Sequence, residues 1–74
     1  MTEGKLLELV NEIRERAGMP NLVKIDRSME LRKDLGLDSL GLATLTVRVE
    51  DITGVDVFED GLVLTVGEVL SKLK

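Results

Sequence analysis

Apolar side chains recur at helical spacing in three stretches of the chain and lose that spacing in two others. Over residues 3–17, Leu6, Val10, Ile13 and Ala17 fall at i, i+4, i+7 and i+11, with Leu9 beside them. That spacing predicts a helix with one apolar stripe. Lys5, Glu8, Glu12, Glu15 and Arg16 take the other face, where Glu12 and Arg16 are spaced as a favourable i, i+4 pair. Gly18 can take the left-handed position that closes the helix, and Pro20 prevents its resumption. Residues 39–53 predict a second helix, with Asp38 as N-cap and Thr53-Gly54 as the stop. Thr44, Thr46, Val47, Val49 and Ile52 are weak helix formers, so packing must hold this helix. Its apolar residues form two stripes, Leu42, Leu45, Val49 and Ile52 on one side and Leu40, Ala43 and Val47 nearly opposite. In so short a chain one stripe faces the core, and the other is expected to be exposed as a docking surface unless a loop covers it. Residues 65–74 predict a last helix. Thr65-Val66-Gly67-Glu68 is a capping box, Leu64 is placed to staple onto Val69, and Val66, Val69, Leu70 and Leu73 give the stripe. Lys72 and Lys74 suit its C-terminal end.

The two remaining stretches have no helical period. Residues 18–38 carry Leu22, Val23, Ile25, Met29, Leu31, Leu35 and Leu37, too many apolar side chains for a solvated linker. This loop is expected to lie pinned across the helices with several of them buried, and to turn at Asp26-Arg27-Ser28. Residues 55–64 admit two readings. Val55 to Glu59, Asp60-Gly61 and Leu62 to Leu64 match a β-hairpin with a two-residue turn, and the pattern leans that way. The rival is a loop with one short helical turn, favoured by the marginal stability of an isolated hairpin.

Composition narrows the chemistry. Seventy-four residues make one domain, spanning 1–74, with a small core. Without cysteine or histidine there are no disulfides, no Cys/His zinc site and no imidazole acid–base chemistry, which leaves helix packing to hold the fold. The formal net charge of −4 opposes nucleic-acid phosphates; it would favour partners with basic patches, but on charge alone the preferred reading is that it keeps a small protein soluble. No apolar run is long enough to cross a bilayer and no signal peptide opens the chain, so a cytoplasmic, monomeric domain is expected. Met1 and Lys74 fit a free-standing protein.

The stretch Asp34-Leu35-Gly36-Leu37-Asp38-Ser39-Leu40 gathers an acid, a hydroxyl and an apolar residue at a helix start. Ser39 has no base to activate it, so nucleophilic catalysis is disfavoured and an attachment point is favoured. An anion bonded to Ser39 would meet the free amides and positive dipole end of the second helix. Asp34 with Asp38, or Glu59 with Asp60, could hold a divalent cation weakly, but the spacing matches no calcium loop. Glu50 and Asp51 oppose the macrodipole at the end of the same helix, a locally unfavourable choice that fits either a binding surface or a merely solvated one.

These seven residues closely resemble the phosphopantetheine attachment motif of acyl carrier proteins. Ile25-Asp26 and Met29-Glu30-Leu31 resemble the first loop of that family, Leu45 and Val49 its second-helix core, and Val57 and Thr65-Val66 positions around its third and fourth helices. The resemblance implies an all-α four-helix bundle, three main helices and one short one, with a long loop between the first two. It implies that a phosphopantetheinyl transferase, using coenzyme A and magnesium, attaches 4′-phosphopantetheine to Ser39. The arm's thiol would then carry acyl groups as thioesters between acyl-loading and acyl-processing enzymes, and the chain itself is not an enzyme. Asp38 and Leu40 would help the transferase recognise the site. Leu40, Ala43, Val47, Glu50 and Asp51 form the expected partner face.

Departures from the family pattern refine this. Carriers for bulk fatty-acid synthesis usually have a strongly acidic second helix, whereas this one reads Gly41 to Arg48 without an acid. Thr53 stands where an aromatic residue is common, and Glu59 to Leu64 is short, so the third helix is expected to be a single turn. The Gly-Gly-His-Ser motif of peptidyl carriers is absent. A carrier for a specialised acyl or polyketide-type pathway is the expectation. The alternative is a non-carrier interaction module of the same fold using the Leu40/Ala43/Val47 face.

Overall fold

Three helices form where the apolar spacing predicts them. In a computed structural model of the chain, α1 runs Glu3–Arg16, α2 Ser39–Thr53 and α3 Val66–Lys72. The structure describes residues 1–59, 61 and 63–73; Asp60, Leu62 and Lys74 lie outside the described residues. The described residues hold no strand, only one isolated antiparallel bridge between Glu30 and Thr65. None of the described helices is long and apolar enough to cross a membrane.

In α1 the stripe Leu6, Leu9, Val10 and Ile13 is buried, and the Thr2 hydroxyl caps the start by accepting from the Lys5 amide at 3.1 Å. Ala17, assigned to the stripe by spacing, is exposed, because the helix ends at Arg16 and Ala17 is its C-cap. Glu12 bonds across to Arg48 of α2 at 3.1 Å, an interhelical pair in place of the expected i, i+4 partner Arg16. An exposed pair of this kind contributes about 1 kcal/mol or less.

The inner face of α2 is Gly41, Leu45 and Val49, with Leu42 half-buried. Ile52 is 48% exposed, so the buried stripe ends one turn earlier than its spacing predicts. Thr44, Thr46 and Thr53 donate their hydroxyls to the carbonyls of Leu40, Leu42 and Val49, at 2.8 to 2.9 Å. These bonds occupy each hydroxyl hydrogen within the helix, which is how three polar β-branched residues fit its surface. Gly54, at φ 76°, ends the helix.

The segment between α1 and α2 supplies Ile25, Leu31, Leu35 and Leu37 to the core, as many residues as α1 does. Val23 is the exception at 94% exposed. The segment turns at Asp26, whose carboxylate accepts from both the hydroxyl and the amide of Ser28. Those two bonds, the hydroxyl's first, hold the Asp26 carboxyl below its ordinary value. Beyond the turn the backbone docks on the start of α3. Leu31 N donates to the Leu64 carbonyl, Val66 N to Met29 and Gly67 N to Arg27, each at 2.9 Å. A Cβ on Gly67 would lie 3.0 Å from the Arg27 carbonyl oxygen, so a larger residue would push the two backbones apart by a few tenths of an ångström.

The capping box at Thr65 and Glu68 is present. Leu64 is 56% exposed, however, and its backbone is what holds it: the carbonyl accepts from Leu31 and the amide donates to Glu68 at 3.3 Å.

Where the resemblance implies a short third helix, residues 57–59 make a turn. The Asp56 carboxylate accepts from Phe58 N at 2.9 Å and the Asp56 carbonyl from Glu59 N at 3.2 Å, a local arrangement that competes with both helix and ladder. Val57 and Val63 on either side are buried. The described residues here form neither helix nor hairpin; the hairpin turn expected at Asp60-Gly61 and the strand residue Leu62 fall partly outside them.

If the segment between α1 and α2 is part of the core, Leu31→Ala should destabilise the fold by about 2–5 kcal/mol, as much as Leu45→Ala does. Urea unfolding followed by circular dichroism measures both. A loss for Leu31→Ala within about 0.5 kcal/mol, the usual range for a surface substitution, would show the segment to be a mere connection.

Candidate functional site

Ser39 is the first residue of α2 and is exposed. Its position is set by the residues before it. Asp34 accepts from the Glu30 amide through its carboxylate at 2.7 Å, closing a turn. Leu35 and Leu37 then plunge into the core, 0% and 2% exposed, and Leu37 N donates back to the Leu31 carbonyl. Gly36 between them has φ 72°, and a Cβ there would lie 3.2 Å from the Met19 sulfur and 3.3 Å from Arg14 Nη1. Backbone conformation and space both call for glycine.

Arg14 completes the mount. It is 8% exposed and donates from Nη1 to the Leu35 carbonyl and from Nε to the Pro20 carbonyl at 3.2 Å. One guanidinium thus joins α1 to both ends of the following segment. Sequence reasoning missed it because an arginine beside an apolar stripe reads as solvated. The available signal was its place four residues after Val10, on the buried side.

Asp38 caps α2, with Oδ1 accepting from Gly41 N at 2.8 Å. The amides of Ser39 and Leu40 donate no hydrogen bond among the described residues. At α3 the equivalent first-turn amides, Val66 and Gly67, are taken by loop carbonyls. The start of α2 therefore presents two unsatisfied donors at the positive end of a helix.

Neighbours in sequence face different depressions. Asp38 and Leu40 line a cleft against Ile13, Arg16 and Ala17 at the end of α1. Ser39 lines a groove of about 490 Å³ with Leu42, Ala43 and Thr46 of α2, Phe58 and Gly61 beyond it, and Arg32 across from it. Sequence reasoning did not place Arg32 or Thr46 at the site, since nothing local brings the segment before α2 over its first turns.

The other singled-out residues are placed as follows. Leu40 is 75% and Val47 58% exposed, Ala43 is exposed, and no loop covers them. Glu50 and Asp51 are exposed further along α2. Asp34 and Asp38 each bond a different backbone amide rather than forming a shared site, and no group of three potential metal ligands exists among the described residues. Asp60, paired with Glu59 as a possible cation site, lies outside them.

Loss of the cap should show in stability. Asp38→Ala is expected to cost about 1 kcal/mol by denaturant unfolding, while Asp38→Asn, which keeps an acceptor, should cost a few tenths at most. Equal losses for the two would assign the effect to charge rather than to capping.

Comparison with known proteins bears on this geometry. The family model described as phosphopantetheine attachment site matches residues 7–71, from the first half of α1 into the last turn of α3, the stretch from Asp34 to Leu40 included. Neither the curated proteins nor the solved structures give a match. The match spans most of the chain and all three helices that mount the exposed start of α2. The chain belongs to the phosphopantetheine attachment site family, and is a carrier domain with 4′-phosphopantetheine as its covalent cofactor.

Proposed function

We propose that the chain is an acyl carrier protein and that Ser39 is the residue bonded to the arm. The observation that carries the assignment is an exposed hydroxyl beside two free amides at the start of α2. The other serines fit less well. Ser28 donates its hydroxyl to Asp26, and Ser71 stands in the last turn of α3, where a helix end disfavours an anion. In the transfer the Ser39 oxygen forms a new bond to the phosphorus bearing pantetheine, and the bond from that phosphorus to the nucleotide part of coenzyme A breaks. The hydroxyl proton is taken up on the transferase side, since this chain offers no histidine. The arm supplies a thiol that holds acyl groups as thioesters, which accounts for a carrier without a cysteine.

Asp38 and Leu40 are proposed as contacts of the phosphopantetheinyl transferase. Acyl-loading and acyl-processing enzymes are proposed to dock on Leu40, Ala43 and Val47, with Glu50 and Asp51 at the far end. Arg48 is engaged by Glu12, and the exposed acids of α2 are confined to its last turns. That face suits partners less basic than those a strongly acidic helix would recruit, which favours a specialised acyl or polyketide-type pathway.

Intact mass after incubation with a phosphopantetheinyl transferase, coenzyme A and magnesium should show one phosphopantetheine added. Ser39→Ala should abolish the addition, and Ser71→Ala should leave it unchanged. Full modification of the Ser39→Ala protein would contradict the assignment.

A further inference from the structure

We propose that Arg32 binds the phosphodiester of the arm and folds the arm back along the groove over Ala43 and Phe58. This rests on Ser39 being the attachment residue. Ser39 itself lines that groove, so a group bonded to its oxygen leaves from the groove's own wall. Arg32 stands on the same groove and has no hydrogen bond or ion pair among the described residues.

Of the acids close to Arg32 in sequence, Glu30 is exposed and forms no ion pair among the described residues. Asp34 accepts from Glu30 N, and Asp38 accepts from Gly41 N while facing the cleft on the other side of α2's start. No carboxylate among the described residues lies within ion-pair distance of Arg32, whereas the cofactor brings an anion to Ser39 on the same groove. A phosphodiester keeps one negative charge at any physiological pH and offers two free oxygens. A guanidinium matches that pair in a fork that an ammonium cannot reproduce. Asp38, the adjacent acid, is not among the residues lining that groove.

Beyond the phosphate the groove is mainly apolar at Leu42, Ala43 and Phe58. The Thr46 hydroxyl, its hydrogen already given to Leu42, is left as an acceptor. Apolar surface with one acceptor suits the methyls and amides of pantetheine. Arg32 is exposed and structurally unengaged, so replacing it should leave the fold intact.

The test uses loaded full-length protein. Mass spectrometry of the Ser39 peptide establishes the attachment point first, and an arm found elsewhere overturns both readings. With the arm on Ser39, ³¹P and ¹⁵N–¹H NMR spectra are compared between unloaded and loaded forms of the wild type, Arg32→Gln and Arg32→Lys. The proposal expects loading to shift the amides of Ala43, Thr46 and Phe58 in the wild type. It expects those shifts to be lost in Arg32→Gln together with a moved ³¹P resonance, to be partly kept in Arg32→Lys, and to fade in about 1 M salt, where screening is strong. Loaded wild type and Arg32→Gln with the same ³¹P resonance and the same amide shifts would overturn it.

Discussion

The backbone between α1 and α2 has no helix to satisfy its polar groups, and the rest of the structure depends on where those groups bond. Buried amides and carbonyls must find partners or cost about 1–3 kcal/mol each. Here they find them in three places. Arg14 serves the carbonyls of Pro20 and Leu35, Asn11 exchanges two bonds with the backbone of Leu22, and the start of α3 exchanges bonds with Arg27, Met29 and Leu31. With its polar groups engaged, the segment can bury Ile25, Leu31, Leu35 and Leu37. A chain of this length has too few helical residues to build a core without them.

The same bonds mount the site. Leu35 and Leu37 anchor the approach to α2, Gly36 lets the chain turn under Met19 and Arg14, and Asp38 closes the first turn. What remains outside is Ser39, with free amides beside it and a groove along one flank. Such an arrangement suits the proposed role of Ser39, which needs an exposed hydroxyl on a scaffold that stays folded. The carboxylate next to the serine, unfavourable to a phosphate, faces the opposite cleft. On the proposed assignment, adjacent residues serve as cap and as tether and line different depressions.

Much of this was legible in the sequence, and the failures have physical causes. Local signals worked: the capping box at Thr65, the Asp38 cap, the Gly54 stop and the Asp26 turn are each set within a few residues. The motif around Ser39 pointed to the family before any geometry, and the family match over residues 7–71 agrees. Spacing alone overextended the stripes, because it cannot see where a helix ends (Ala17) or where its packed surface ends (Ile52). Among the described residues of 55–64, the pull between hairpin and short helix went to a turn at 57–59 in which the Asp56 carboxylate takes the Phe58 amide. Arg14 and Arg32 were missed for one reason. Arg14 bonds carbonyls distant in sequence and Arg32 meets the Ser39 groove only through the fold, while a charged residue read alone looks solvated.

Native-state hydrogen exchange at the amides of Leu31, Leu37, Val66 and Gly67 tests the central claim most directly. These are the groups by which the segment between α1 and α2 holds itself and α3. If the segment is integral to the fold, all four should exchange only through global unfolding, with opening free energies equal to those of Leu45 and Val49 in α2. Fast exchange at the four while α1 and α2 stay protected would show a separable loop laid over the helices, and would contradict the account.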